Sequence, residues 1–139
     1  MTAPLAPKTG NTGTLAFGTS TFTAYWEEIG STKQDRKDLN TSHLGTTVKH
    51  TSVPDDLYEP GEMEVNYYYD ADQIPPFAAA ETVTLTYPRQ GAHTNGATLA
   101  GTAYFKSRST AALKNGALMM GKATIKWDGY TGPTFTPGT

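Results

Sequence analysis

The stretch that decides the fold is Glu62-Met63-Glu64-Val65-Asn66-Tyr67-Tyr68-Tyr69. Its odd-numbered side chains are all apolar or aromatic, and three of its four even-numbered side chains are polar. Successive side chains of a β-strand point to opposite faces of the sheet. The pattern therefore predicts a strand that buries one face and exposes the other.

The same period of two recurs in four other stretches, which are residues 21–26, 82–87, 102–105 and 122–127. Threonine, other β-branched residues and aromatic residues fill these stretches, and such residues favour strands. Several half-buried strands separated by turn residues are typical of a sandwich or barrel. At 139 residues the chain is long enough for one domain with its own core.

One short helix is predicted over residues 74–80. Asp72 would cap its start, and Pro75 and Pro76 would lie in the first turn, where a missing N–H costs little. Residues 109–115, which are followed by Gly116, are predicted to form a turn. The fold class expected from these patterns is mainly β, with one short helix and extended terminal arms.

Both ends of the chain are rich in Pro, Thr and Gly, and neither end has enough large apolar residues to form a core. They are either disordered tails or arms that become ordered against neighbouring subunits. The chain is therefore divided into an N-terminal arm (residues 1–13), a β domain (residues 14–129) and a C-terminal arm (residues 130–139).

Residues 46–60 are predicted to form a long loop, because the segment is long for a strand connection and highly polar, with Val53 and Leu57 as possible anchors. Loops of this length inside a compact domain are usually functional or disordered. The residues expected to make contacts from this loop are Lys49, Asp55, Asp56, Leu57, Tyr58 and Glu59.

Charge is unevenly distributed along the chain, although the net charge is only -2. No Lys or Arg lies between Lys49 and Arg89, where eight carboxylates occur, and no Asp or Glu lies between Arg89 and Trp127. A subunit with an acidic and a basic region can bind copies of itself through two different patches. The basic candidates for such an interface are Arg108, Lys122 and Lys126.

Two motifs precede the strand over residues 62–69. The first is Asp38-Leu39-Asn40-Thr41-Ser42-His43-Leu44-Gly45, and the second is Leu57-Tyr58-Glu59-Pro60-Gly61. Together with the strands around Gly101–Tyr104 and Ile125–Gly129, they resemble the major tail tube proteins of long-tailed (siphovirus-type) bacteriophages. The likeness covers roughly residues 15–130. Members of that family usually have a longer helix than residues 74–80 can form.

The resemblance implies a structural virion protein of the tail-tube β fold. Its subunits would form stacked, hexameric rings around a channel for DNA, and the loop over residues 46–60 would contact the next ring. Its partners would be itself and other tail proteins such as the tape measure, terminator and tip proteins, and DNA only in transit. It would be located in the virion tail and assembled in the host cytoplasm.

The strand quoted first matches an inner-barrel strand of that family. Its polar face is the candidate lumen surface, formed by Glu62, Glu64 and Asn66. Acidic groups there would repel phosphates and keep DNA moving. Alternation alone leaves open whether this face points to the lumen or to the outside.

Other classes of function find little support in the sequence. There is no cysteine, no metal-ligand or phosphate-loop motif, no catalytic triad pattern and no run of apolar residues long enough to span a membrane. We expect no enzymatic activity, cofactor, metal or membrane segment. A pI near 5.8 argues against gripping nucleic acid through its phosphates. The alternative function is a carbohydrate-binding β-sandwich module, because the three consecutive tyrosines could provide a stacking surface.

Overall fold

The computed structural model describes residues 5–139, and in this range the chain forms nine β-strands and no helix. The strands are β1 (Thr14–Phe17), β2 (Trp26–Ile29), β3 (Asp35–Asn40), β4 (Ser52–Glu59), β5 (Glu62–Tyr68), β6 (Glu81–Thr86), β7 (Thr98–Arg108), β8 (Met120–Trp127) and β9 (Thr134–Thr136).

Seven of the strands form one antiparallel sheet with the order β1-β6-β7-β8-β5-β2. The seventh strand, β9, pairs with the first residues of β7. We call this sheet and its core the body. Strands β3 and β4 pair with each other in a separate two-stranded sheet. We call residues 35–59, which comprise these two strands and their connection, the ribbon.

The core lies on one face of the body sheet, and all six strands along the sheet contribute to it. The largest fully buried side chains are Trp127, Met63 and Ile125. No second sheet packs on this apolar face in the described chain, so the body sheet has to curve to bury it. Phe22, in the connection between β1 and β2, closes the curve by packing edge-on against both Phe17 and Trp26.

The alternation in the sequence correctly predicts β5, β6, β8 and the central part of β7. The strand predicted over residues 21–26 is wrong, because ladder pairing begins only at Trp26. Phe22 is nevertheless buried, while its neighbours Thr21 and Thr23 are exposed. The period of two there reflects a chain that crosses the open side of the sheet, not a strand within it.

The helix predicted over residues 74–80 is also wrong, since this segment has no regular secondary structure. Pro75 is fully buried, and its carbonyl oxygen accepts a hydrogen bond from the guanidinium of Arg108. The same guanidinium lies over the ring of Phe77, 4.3 Å from its centroid. These tertiary contacts outweigh the weak helix preference of a segment of only seven residues.

The loop predicted over residues 46–60 contains a strand, β4, over Ser52–Glu59. It lacks an apolar alternation because the ribbon has no buried face. Every residue of β3 is exposed, and so is every residue of β4 except Asp55, which is half-buried.

The C-terminal arm is ordered against its own chain. β9 extends the edge of β7 beyond the end of β8, and Thr139 exchanges backbone hydrogen bonds with Asn95. The N-terminal arm is described from Leu5, and the rest of that prediction, residues 1–4, lies outside the described residues. The amide Nε2 of Gln90 donates to the carbonyl oxygen of Ala6 over 3.1 Å.

The ribbon joins the body at Gly61, which has a φ of 94°. The chain crosses closely here, because a Cβ on Gly61 would overlap the backbone carbonyl oxygen of Lys33. The indole Nε1 of Trp127 donates to the hydroxyl of Thr32 over 3.2 Å and fixes the same crossing from the core side. Glycine at position 61 therefore meets both a conformational and a steric requirement.

Gly61→Ala should lower the free energy of unfolding by about 3 kcal/mol, because left-handed strain and a backbone overlap add together. Gly116→Ala is the matched control. Gly116 also has a positive φ, of 80°, but a Cβ there would meet no atom within 4 Å, so the loss should be only about 1 kcal/mol. Urea denaturation measures both losses, and equal losses would contradict the proposed overlap.

Candidate assembly surfaces

The polar face of β5 points away from the core, as predicted, with Glu62 and Glu64 exposed and Asn66 half-buried. Strand β8 lies beside it in antiparallel register, which places Lys126 opposite Glu62 and Lys122 opposite Asn66. The candidate lumen residues and two of the three basic interface candidates therefore share one face of the body.

Strand β7 adds a further lysine to this face, because Lys106 follows Thr102 and Tyr104 in the outward-facing alternation. The register of β7 with β8 shifts between Phe105 and Ser107. Lys106, at the bulge, lies two strands from β5, and its ammonium group is 3.1 Å from a carboxylate oxygen of Glu62. We call Glu62, Glu64, Lys106, Lys122 and Lys126 the charged strip. Two carboxylates face three ammonium groups in this strip, so the acidic wall suggested by β5 alone is absent.

Arg108, the third basic candidate, is occupied by its own chain. Its guanidinium contacts the segment over residues 74–80 at Pro75 and Phe77. Its positive charge also acts on Tyr67. Burial raises the pKa of the Tyr67 phenol, and the charge of Arg108 offsets part of that rise. The ring of Tyr67 packs over Gly121, where a Cβ would lie only 2.6 Å from ring atoms.

The ribbon contains all six residues predicted to make contacts from the loop. Lys49 lies in the connection between β3 and β4, and the other five residues lie on β4. Leu57 is 78% exposed and Tyr58 is 54% exposed. The guanidinium of Arg36 lies 5.6 Å from the centroid of the Tyr58 ring.

Further apolar side chains are exposed along the ribbon, and they are Leu39, Leu44, Val48 and Val53. An isolated two-stranded ribbon is only marginally stable in water, and several exposed large apolar groups in one region mark an interaction surface. β4 spans about 26 Å at 3.3 Å per residue. The ribbon can therefore reach well beyond the body.

The described residues contain no cluster of three or more His, Asp or Glu side chains that could hold a metal ion. The ring nitrogen Nδ1 of His43 accepts a hydrogen bond from the backbone N–H of Gly45. Tyr67 is buried, whereas Tyr69 is half-exposed, so the three consecutive tyrosines do not form a common stacking surface. Within residues 5–139 no helix has the length and apolarity needed to span a membrane.

Sequence reasoning missed a surface at the ends of the chain. Tyr87 and Phe135, with ring centroids 6.5 Å apart, lie where both arms meet the connection between β6 and β7. Nothing in the linear sequence links these two residues. A signal was present in the C-terminal arm, because Thr134-Phe135-Thr136 alternates as a short strand would.

No family model matches the sequence, and no curated protein matches it. A likeness to a solved structure comes from cryo-electron microscopy of an extracellular contractile injection system, in the PVC sheath/tube terminator in its extended state. The TM-score is 0.72 at 8% sequence identity, over 91% of this chain and 96% of that chain. The chain shares the fold of that terminator. The expected mainly β architecture is thereby confirmed, apart from the short helix.

The raised pKa of Tyr67 predicts a loss of stability at high pH. Above the ordinary tyrosine pKa of about 10, the unfolded chain releases this proton while the folded chain retains it, so stability falls as pH rises further. Titration of phenolate absorbance should show one late-ionising tyrosine, which Tyr67→Phe removes. Tyr25→Phe, which removes an exposed phenol, should leave the late phase unchanged. A late phase that survives Tyr67→Phe would contradict the assignment.

Proposed function

We propose that this chain is the structural subunit of a phage tail tube. In this proposal it assembles into stacked, hexameric rings that surround a channel for DNA, and it contacts other tail proteins such as the tape measure, terminator and tip proteins. It would act in the virion tail after assembly in the host cytoplasm. The role is structural and involves no catalysis.

The observation that carries the proposal is the ribbon. Its strands are exposed on both faces, and they present apolar side chains that the described residues of the same chain leave uncovered. Strand pairing within the ribbon is only marginally stable alone, and a contact with another molecule would offset the remaining cost in conformational entropy. The likeness in fold to a sheath/tube terminator supports a tail as the setting.

The proposed tube also needs two different surfaces on each subunit, because a ring or stack of identical copies uses a heterologous contact. The tip of the ribbon, around Leu44 and Val48, extends farthest from the body and would contact the next ring. The charged strip is our candidate for the lumen. Its carboxylates and lysines offset one another, so the wall would neither hold phosphates strongly nor repel them strongly.

The first test is assembly itself. Purified protein should form rings or tubes by negative-stain electron microscopy. A variant in which an Asn-Gly turn replaces residues 36–58 should remain a folded monomer, because Asp35 and Glu59 are paired opposite each other and no buried core residue lies in the ribbon. A cooperative thermal transition provides the folding control.

Tubes formed by the variant without the ribbon would contradict the role given to the ribbon. A full-length protein that stays monomeric at every concentration would contradict the proposed function as a whole.

The lumen assignment makes a separate prediction. Glu62→Lys with Glu64→Lys would leave five ammonium groups and no carboxylate in the charged strip, so each ring would bind DNA through phosphate contacts. Tubes of this variant should retain DNA at low salt and release it as salt rises, while wild-type tubes do not retain it. Asp70→Lys with Asp72→Lys, which adds the same charge in the connection after β5, is the matched control. Equal DNA retention by wild-type and Glu62/Glu64 variant tubes would place the charged strip outside the lumen.

A further inference from the structure

The two arms and the connection between β6 and β7 enclose a cleft of about 730 Å³. We call it the terminal cleft, and its lining includes Leu5, Lys8, Tyr87, His93 and Phe135. The backbone N–H groups of Thr94 and Asn95 both donate to the carbonyl oxygen of Thr139, over 2.8 and 2.9 Å. The cleft is therefore formed by hydrogen-bonded segments of one chain.

The terminal cleft combines apolar and basic groups. Tyr87 is 42% exposed and Phe135 is 59% exposed. Lys8 also lines an adjoining hollow together with Arg89. Neither Asp nor Glu occurs in residues 5–13, 87–97 or 129–139. The chemistry of this surface fits an occupant that presents carboxylates next to large apolar side chains.

The ribbon presents that combination within five residues of β4. Asp55, Asp56 and Glu59 supply the carboxylates, and Leu57 and Tyr58 supply the exposed apolar surface. Pro54 and these charges make backbone pairing along the outer edge of β4 unfavourable, as in protected edge strands. A partner would therefore contact β4 mainly through its side chains.

The register places both surfaces at the same end of the body. Glu62 on β5 pairs with Lys126 on β8, and the next residue, Trp127, pairs with Ala103 on β7. From Ala103, β7 runs back to its first residue, Thr98, which pairs with Thr86 at the end of β6. The start of β7 and the end of β6 therefore project past the start of β5. The ribbon leaves β5 at this end, and Asp55–Glu59 is the part of β4 nearest the body. The terminal cleft lies at this end too, beside β6 and β7.

We propose that Asp55–Glu59 of one copy binds in the terminal cleft of a neighbouring copy in the same ring. This inference rests on the proposed function and gives the ribbon a lateral partner. In a ring, neighbouring copies are related by rotation about an axis that runs along the strands, so the same end of every copy lies at the same height. The ribbon of one copy can then reach the cleft of the next copy, and repeating this contact closes the ring. Stacking would instead bring this end against the opposite end, where residues 109–119 lie.

Cysteine crosslinking tests the contact directly, because the chain has no native cysteine. Leu57→Cys combined with Phe135→Cys should form disulfides between subunits on oxidation of assembled protein, in a ladder that ends at the number of subunits in one ring. Leu57→Cys combined with Leu113→Cys is the matched control, because Leu113 is more exposed than Phe135 but lies at the opposite end of the body. This control should remain uncrosslinked.

Charge reversal provides the second measurement. Asp55→Lys with Asp56→Lys, or Lys8→Glu with Arg89→Glu, should each slow ring formation at least about tenfold, since like charges then meet. Combining all four changes should restore most of the rate. A crosslink in the control variant that carries Leu113→Cys, a ladder that continues past one ring, or no rescue by the combined changes would overturn the proposed contact. Failure of the unmodified protein to assemble would instead contradict the proposed function.

Discussion

The curvature of a single sheet around its own apolar face is the constraint on which the rest of the structure depends. No second layer of the described chain covers that face, so β1 and β2, at opposite ends of the strand order, must approach each other. Phe22 fills the remaining gap between them. Burial of this core provides the main stabilisation, because burying apolar surface dominates the free energy of folding. The outer face, the ribbon and the terminal cleft are then free to serve contacts with other molecules.

The sequence predicts the longer elements in which burial and backbone pairing coincide, but it misses β1, whose four residues are too few to show a clear period. Met63, Val65 and Tyr67 alternate because β5 is both paired and buried on one face, and the same holds for β6 and β8. The prediction failed where burial occurs without backbone pairing, or pairing without burial. Phe22 is buried without ladder pairing, and β4 is paired without burial. A hydrophobic period detects only burial, so it mistook the first for a strand and the second for a loop.

Charge shows a similar limit for the candidate sites. The acidic and basic blocks of the sequence predict two separate surfaces, but antiparallel pairing of β5 with β8 places Glu62 and Lys126 side by side. Lys106 then reaches Glu62 from β7 across β8, and sequence spacing does not reveal that strand order. The terminal cleft was unpredictable for the same reason, since its lining comes from three segments distant in sequence. Only the outward direction of the polar side chains on β5 and β8 followed directly from the alternation.

The independence of the ribbon from the core has a kinetic consequence for the proposed assembly. Folding of the body would be complete without the ribbon becoming fixed, so the entropy lost on ordering it would be lost at the moment two subunits meet. The first contact between two free subunits would order two ribbons and bury little surface. Addition of a subunit to an existing ring would order only one ribbon, against a surface that is already formed. Such an imbalance would make new tubes slow to start and existing tubes quick to lengthen. Tube number would then be set by whatever supplies the first ring.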